Sequence, residues 1–196
     1  MFLRNLLILF VFVFLSGCGE PKLPSPFHAA EVGAKFAGAD FKLTDHHGVP
    51  RTLADFRGKV VVLFFGYVHC PDVCPTTMAD LAQVMTKLGR DAERVQVLFV
   101  TVDPERDTRE LLSQYVPAFS PAFLGLAGDK AATEAAAKAF EVVYQKQPSK
   151  TGYNMDHSSG AFVIDQKGRV RLLAPFAQQP AWMEQDIRLL LALKGK

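Results

Sequence analysis

The sequence of 196 residues has few cysteines, little net charge and no apolar run of membrane-spanning length. Its three cysteines are too few for the disulfide framework that stabilises many small secreted proteins. The formal charge of +2 at pH 7 comes from scattered basic residues, so nucleic acid is not expected as a partner. The apolar stretch near the N terminus is shorter than the ~20 residues that a spanning helix needs.

That first segment has the layout of a signal peptide. Arg4 precedes an apolar stretch from Leu6 to Leu15, and small residues then lead to Cys18. The Leu-Ser-Gly-Cys sequence ending at Cys18 resembles the lipobox of bacterial lipoproteins, in which the cysteine is lipidated. We therefore expect residues 1–17 to be a lipoprotein signal peptide and Cys18 to carry lipid. The alternatives are ordinary secretion with Cys18 left free, or a slightly longer uncleaved anchor.

Export then sets the expected location and organisation of the chain. The protein is expected on the bacterial periplasmic side, attached by lipid to the cytoplasmic membrane. Residues 18–38 are rich in proline with little periodicity, which predicts a flexible tether. Residues 39–196 are predicted to form one folded domain that begins near Phe41.

The centre of that domain is predicted to be a parallel strand-helix-strand unit. Residues 60–65 are apolar without polar alternation, as in a central strand covered on both faces. Pro75 suits a first helical turn, and the apolar residues after it recur at helical spacing. Residues 95–102 supply the second strand, and the crossover between the two strands is expected to be right-handed.

The rest of the pattern predicts shorter elements around this unit. They are a hairpin at 41–53, a helix capped by Asp107, a helix at 130–140, a strand at 142–144, a polar loop at 145–156, a hairpin at 161–173 and a helix at 181–193. The fold class is therefore α/β, with a central mixed β-sheet, helices on both faces and an N-terminal hairpin.

Cys70 and Cys74 follow the central strand, and each is followed by a proline. Cys74 stands at a predicted helix N terminus, where the helix dipole favours a thiolate. Either sulfur could then act as a nucleophile or as a metal ligand. In an oxidising compartment the pair is expected to form a disulfide, unless reductants or a metal hold it otherwise. The alternative is a buried pair that serves as small apolar filler.

A dithiol at a strand-to-helix junction suggests the thioredoxin superfamily, with two departures. The spacing is Cys-x-x-x-Cys, and His157 stands where thioredoxins have a proline facing the dithiol. Two thiolates and an imidazole make a soft, three-coordinate set that suits Cu(I), whereas structural zinc usually takes four protein ligands. The alternative is a hydrogen-bonded loop histidine without metal. His69, next to Cys70, is expected to face elsewhere.

With these motifs the sequence resembles the Sco/SenC family of copper-binding cytochrome oxidase assembly proteins. The similar segments are 64–75 (FFGYVHCPDVCP), 102–108 (VDPERDT) and 156–158 (DHS), within a resemblance running from about Phe36 to the C terminus. The resemblance implies a thioredoxin-like fold with an inserted loop ahead of the histidine. It also implies one copper per monomer, as Cu(I) or Cu(II), bound by Cys70, Cys74 and His157.

The family role implied is copper delivery to the binuclear site of cytochrome c oxidase subunit II. The alternative is a thiol-disulfide oxidoreductase, in which Cys70 and Cys74 reduce the cysteines of subunit II or act in redox homeostasis. Other periplasmic copper chaperones or thiol reductases are further expected partners, and the protein is expected to be monomeric. Thiol peroxidase chemistry is disfavoured because Tyr67, not threonine, stands three residues before Cys70.

Further polar residues have two interpretations each. Asp72 could tune copper affinity or contact a partner, and Asp103 could support the metal site from behind its ligands or border the partner-binding face. Both could equally be loop carboxylates with no such role. His46 and His47 are expected to be solvated surface residues in a turn. Trp182 is expected to pack the last helix onto the sheet.

Overall fold

The computed structural model describes residues 25–150 and 152–193. The predicted signal peptide, Cys18 and the first part of the predicted tether lie outside these residues. Within them, no helix combines the length and apolar character needed to cross a bilayer.

The described residues form strands and helices that alternate along much of the chain. The strands are β1 (Ala30–Glu31), β2 (Leu43–Asp45), β3 (Pro50–Arg51), β4 (Val60–Gly66), β5 (Val95–Thr101), β6 (Leu124–Ala127), β7 (Tyr144–Ser149), β8 (Gly152–His157), β9 (Ala161–Ile164) and β10 (Val170–Ala174). The helices are α1 (Val73–Leu88), α2 (Arg109–Tyr115), α3 (Lys130–Ala139) and α4 (Pro180–Ala192).

The main sheet is mixed, with the order β1-β10-β9-β4-β5-β6-β2-β3. β4 lies parallel to β5, from Val60 beside Val95 to Gly66 beside Thr101, and β9 runs antiparallel on its other side. Every residue of β4 is buried, as its unbroken apolar sequence predicts for a strand covered on both faces.

Aromatic side chains cover the two faces of this centre, because successive residues of a strand point to opposite sides. On one face, Phe99 of β5 packs against Tyr115 at the end of α2. On the other, Phe65 of β4 packs against Phe140, directly after α3. The predicted α/β architecture, with a mixed sheet and an N-terminal hairpin at β2 and β3, is confirmed.

Helix α1 carries the second cysteine and packs along α4. Its buried residues, Cys74, Met78, Leu81, Val84 and Leu88, recur every three or four positions and so lie on one side of the helix. The first turn of α1 is thereby fixed against the sheet at the end of β4.

The predicted polar loop at 145–156 is wrong, because this segment is the β7–β8 hairpin. The two strands pair from Tyr144 beside His157 to Ser149 beside Gly152. Half of the β7 residues are exposed and none is fully buried, so this strand shows no apolar alternation. The backbone pairing leaves no signal in residue types, and a strand predicted at 142–144 begins only at Tyr144.

The predicted tether at 18–38 also extends too far. Within its described part, β1 pairs with β10, and Ala29 and Phe36 are buried in the core. The Phe36 ring packs edge-on against Phe162 of β9. The folded domain therefore begins before residue 39.

Two further expectations are corrected by burial. His46 is buried, and its Nδ1 accepts a hydrogen bond from the Gly125 amide at 3.0 Å, whereas His47 is exposed as predicted. Trp182 is 43% exposed and stacks on His28, with ring centroids 5.1 Å apart. The tryptophan thus fastens the N-terminal segment to α4 and does not pack the helix onto the sheet.

Candidate metal centre

The two cysteines lie in the turn that joins β4 to α1. The Cys70 amide donates to the Tyr67 carbonyl, which closes the turn, and Asp72 precedes the first helical residue. Cys74 is in the first turn of α1, and its amide donates to the Cys70 sulfur at 3.3 Å. A free amide at a helix N terminus has no partner within the helix, so the Cys70 sulfur satisfies it.

His157 ends β8 and faces the cysteines. Its Nε2 lies 3.4 Å from the Cys74 sulfur, and its Nδ1 lies 2.9 Å from the Ser158 carbonyl oxygen. A carbonyl can only accept, so Nδ1 carries the proton and Nε2 presents a lone pair to the thiol. This is the tautomer that a metal ligand requires.

The ligand atoms of Cys70, Cys74 and His157 all lie within 4.8 Å of one another. Metal bonds of about 2.3 Å to sulfur and about 2.0 Å to nitrogen would place three ligands roughly 3.7 to 4.0 Å apart around one ion. The three groups therefore fit one metal ion after movements of an ångström or less. Cys70 and His157 line a surface cleft of about 410 Å³, whereas Cys74 is fully buried behind them.

Burial controls the charge of the two inner groups. It lowers the pKa of His157, and this outweighs the opposing effects of the Ser158 carbonyl and Asp156, so the imidazole is neutral. Burial likewise raises the pKa of the Cys74 thiol, despite the amide of Tyr67. The expectation that the helix N terminus makes Cys74 a thiolate is therefore wrong for the metal-free protein.

The pair is described as two free thiols, with Cys74 buried and Cys70 partly exposed. The disulfide between them stays a prediction for the oxidised protein. Asp72 is exposed and lines the cleft, so its expected part in copper affinity or partner contact also stays a prediction.

Tyr67 connects the cysteine turn to the histidine hairpin. Its ring lies edge-on to the His157 ring, 5.9 Å between centroids, and its hydroxyl interacts with the Cys70 thiol and the Met155 amide. Tyr67 is almost fully buried. Tyr67 was not among the predicted site residues, although it lies in the segment 64–75 that contains both cysteines.

Asp107 forms hydrogen bonds that hold the cysteine turn, and it does not cap α2. Its Oδ2 accepts from the Val68 amide at 3.0 Å and from the Thr101 hydroxyl at 2.6 Å, while Thr108 is the residue that caps the helix. The His69 ring turns to Asp107, with Nδ1 3.7 Å from Oδ1. His69 thus faces away from the three ligand atoms, as predicted.

Asp103 is 1% exposed, which favours support of the site over contact with a partner. Its two oxygens accept from Arg106 Nε and from the Tyr153 hydroxyl at 2.8 Å. The turn that contains Asp103 is therefore attached to β8, the strand that ends at His157. Arg106 lies in a segment that the sequence singled out, but nothing in the sequence pattern marks Tyr153.

Comparison of the sequence with known proteins links this chain to one family. The sequence model described as SCO1/SenC matches residues 29–192, which include all three residues of the centre. The mouse (Mus musculus) mitochondrial SCO2 homolog is 41% identical over 133 residues, which cover 66% of this chain and 52% of that protein. The chain thus spans about half the length of such relatives.

Two solved structures share the fold over more of the chain. Bradyrhizobium japonicum ScoI, determined with copper bound, aligns with a TM-score of 0.73 and 36% identity over 79% of this chain and 99% of that one. The apo Sco1 protein of Thermus thermophilus aligns with a TM-score of 0.65 and 44% identity over 78% of this chain and 87% of that one. The thioredoxin-like fold predicted from the cysteine motif is thereby confirmed.

Proposed function

The chain belongs to the SCO1/SenC family, and on that premise we propose that it is a copper metallochaperone for cytochrome c oxidase assembly. One observation carries the proposal: Cys70, Cys74 and His157 present two sulfurs and one neutral nitrogen within 4.8 Å of one another. This soft set of three suits Cu(I). A similar protein, B. japonicum ScoI, has been solved with copper bound.

Copper is the cargo of the proposed reaction. Binding of Cu(I) replaces the protons of the Cys70 and Cys74 thiols, so two protons are released while the neutral His157 contributes only its lone pair. The cost of ionising the buried Cys74 is offset by its bond to the metal. Cys70, which is partly exposed, is the sulfur that an incoming thiolate of the acceptor reaches first. Copper then passes by exchange of one sulfur for another, without a change in oxidation state.

The acceptor in this proposal is the binuclear copper site of subunit II. In the same proposal, the protein lies on the periplasmic side and lipid on Cys18 attaches it to the cytoplasmic membrane. The signal-like segment and the Leu-Ser-Gly-Cys sequence support this placement. Globomycin treatment and mass spectrometry of Cys18 would test it, since an unlipidated cysteine excludes the anchor.

The test of copper binding is an anaerobic Cu(I) titration against a calibrated competitor. All proteins carry Cys18→Ser, so that the third thiol does not contribute. We expect one tight copper in the parent and its loss in Cys70→Ser and Cys74→Ser, with weaker binding in His157→Ala. Unchanged affinity in His157→Ala would contradict the three-residue site.

A second candidate is a thiol-disulfide oxidoreductase, favoured by the unequal exposure of the pair. A partly exposed Cys70 can attack a substrate disulfide, and the buried Cys74 can resolve the mixed disulfide, so that two electrons pass to the substrate. Reduced protein would then reduce a disulfide-bonded subunit II fragment. If that fragment stays oxidised while copper binds tightly, the oxidoreductase role is excluded.

A further inference from the structure

The β7–β8 hairpin carries His157 but stands apart from the main sheet. Within the described residues its two strands pair with each other and with no strand of that sheet. The backbone ladder that holds Cys70 and Cys74 in place therefore does not extend to His157. The position of the imidazole relative to the two sulfurs depends on side chains that fasten the hairpin to the body of the protein.

Arg106 makes the most extensive of these contacts. Its guanidinium lies over the Tyr153 ring, 3.6 Å from the centroid, and its Nη1 donates to the Tyr153 carbonyl oxygen at 2.8 Å. Its Nε meanwhile pairs with the buried carboxylate of Asp103. One planar cation thus contacts both the ring and the backbone of β8, four residues before His157.

Further contacts come from the same turn, in addition to those of Tyr67 with His157 and the burial of Met155 in β8. The Tyr153 hydroxyl donates to Asp103, and Lys146 of β7 covers the Tyr153 ring at 4.6 Å while pairing with Glu105 at 2.6 Å. The Lys146 pair is exposed and contributes little by itself. The buried Asp103 and the stacked Arg106 contribute most to the attachment, since a planar guanidinium can stack on a ring and donate to two partners at once.

The opposite end of the turn holds the cysteines. Asp107 accepts from the Val68 amide, two residues before Cys70, and is itself fixed by the Thr101 hydroxyl. Residues 103–107 therefore contact both ligand-bearing segments, the cysteine turn through Asp107 and the histidine hairpin through Asp103 and Arg106.

From this double attachment we infer that residues 103–107 form a clamp that holds His157 against the Cys70–Cys74 pair. Arg106, Asp103 and Tyr153 are positioning residues: they do not touch the metal and act through His157. The inference rests on the proposed copper site for its functional consequence. Without the clamp the hairpin can swing outward, which leaves a two-sulfur site that lacks its nitrogen ligand.

Arg106→Gln tests the clamp, and Arg51→Gln is its matched control. Arg51 pairs with the buried Asp45 in the β2–β3 hairpin, with 28% side-chain exposure against 26% for Arg106, and both carboxylates are fully buried. The two variants therefore remove the same kind of ion pair. Copper affinity is measured in the full chain in detergent, with Cys18→Ser throughout.

Arg106→Gln is expected to weaken Cu(I) binding by about tenfold, as loss of a group that orients a metal ligand does, and Arg51→Gln by less than about twofold. In a His157→Ala background, Arg106→Gln is expected to have almost no further effect on Cu(I) affinity, because Arg106 can no longer act through His157. Equal additional losses in both backgrounds would show that Arg106 does not act through His157 and would overturn the inference.

A copper-free measurement separates this inference from the proposed function. In the reduced apo protein, Arg106→Gln is expected to speed amide hydrogen exchange in β7 and β8 while β4 and β5 stay protected. Tyr153→Phe removes only the hydroxyl bond to Asp103, so it is expected to speed exchange more weakly and to leave the domain folded. Unchanged exchange in both variants refutes the clamp, whether or not copper binds. If Arg106→Gln speeds hairpin exchange and the parent binds no copper, the clamp is supported and the chaperone role is refuted.

Discussion

The Nε2 atom of His157 lies 3.4 Å from the sulfur of Cys74, although 83 positions separate the two residues in the chain. The proton on the other ring nitrogen is directed to the Ser158 carbonyl. The imidazole therefore offers its lone pair to the cysteines before any metal arrives. This contact joins the end of a hairpin to the first turn of a helix and defines the candidate site.

The two cysteines of the reduced protein should differ in reactivity. Cys74 is fully buried and burial raises its pKa, whereas Cys70 is partly exposed. We expect iodoacetamide to modify Cys70 at least about tenfold faster than Cys74, because the thiolate is the reactive form. Peptide mapping by mass spectrometry measures both rates. In denaturant the difference should disappear, and a native Cys74 that reacts first would contradict the described burial.

Gly66 should be intolerant of a methyl group. A Cβ built there would lie 2.9 Å from the Cys74 sulfur and 2.8 Å from the Phe99 ring. We expect Gly66→Ala to lower the free energy of unfolding by about 1–3 kcal/mol through overpacking, and to weaken Cu(I) binding by displacing Cys74. Chemical denaturation and the copper titration measure the two effects.

Gly168→Ala is the control for that substitution. Gly168 has φ of 77° in the turn between β9 and β10, with no neighbour within 4 Å of a built Cβ. Alanine there costs stability through backbone strain alone. Copper affinity should be unchanged in this variant. An equal loss of copper binding in both would mean that lower stability, and not contact with Cys74, explains the effect.

Asp107 should destabilise the protein at neutral pH. Burial raises the pKa of its carboxyl, outweighing the hydrogen bonds from Thr101 and Val68. Between the unfolded pKa of about 3.9 and its raised folded pKa, the carboxyl holds a proton in the folded protein that the unfolded chain has released. Stability falls as the pH rises through the folded pKa, and the loss persists above it. Asp107→Asn is therefore expected to raise the free energy of unfolding at pH 7 but not at pH 3.

Asp45→Asn should change the free energy of unfolding at pH 7 in the opposite direction. Burial alone would raise the pKa of Asp45, but the Val49 amide, the Arg51 guanidinium and the His47 amide together lower it. Its stabilisation is present above the unfolded pKa and is lost as the pH falls through the folded one. This variant should lose stability at pH 7. Urea denaturation at pH 3 and pH 7 measures the free energy of unfolding of the parent and both variants. Stabilisation by both substitutions at pH 7 would refute the raised pKa assigned to Asp107.

The N-terminal segment should contribute to domain stability. Phe36 is buried and packs on Phe162, within the part of the chain that the sequence indicated as a tether. Phe36→Ala is expected to lower the free energy of unfolding by about 3–5 kcal/mol. Val143→Ala, at a side chain that is 73% exposed, should change it by less than about 0.5 kcal/mol. If Phe36→Ala and Val143→Ala had similarly small effects, the predicted end of the tether at residue 38 would be supported.

The sequence by itself determined the centre of this protein. The apolar run of β4 predicts a buried strand. The helical spacing of apolar residues after Pro75 predicts which side of α1 faces the core. Both signals are local, since burial of an entire strand or of one helix face requires apolar residues at set intervals. The Cys-x-x-x-Cys spacing and His157 could likewise be recognised as a copper-type ligand set without coordinates.

Only the tertiary structure decided how those groups are held. Among the described residues of the β7–β8 hairpin, only Met155 is fully buried. Backbone pairing, which any residue type can make, therefore forms the hairpin with little apolar pattern in the sequence. The contacts of Arg106 with Tyr153 join residues 47 positions apart. Whether a carboxylate lies in solvent or in the core, as Asp103 and Asp107 do, depends on what folds over it. Local sequence carries no record of such long-range neighbours.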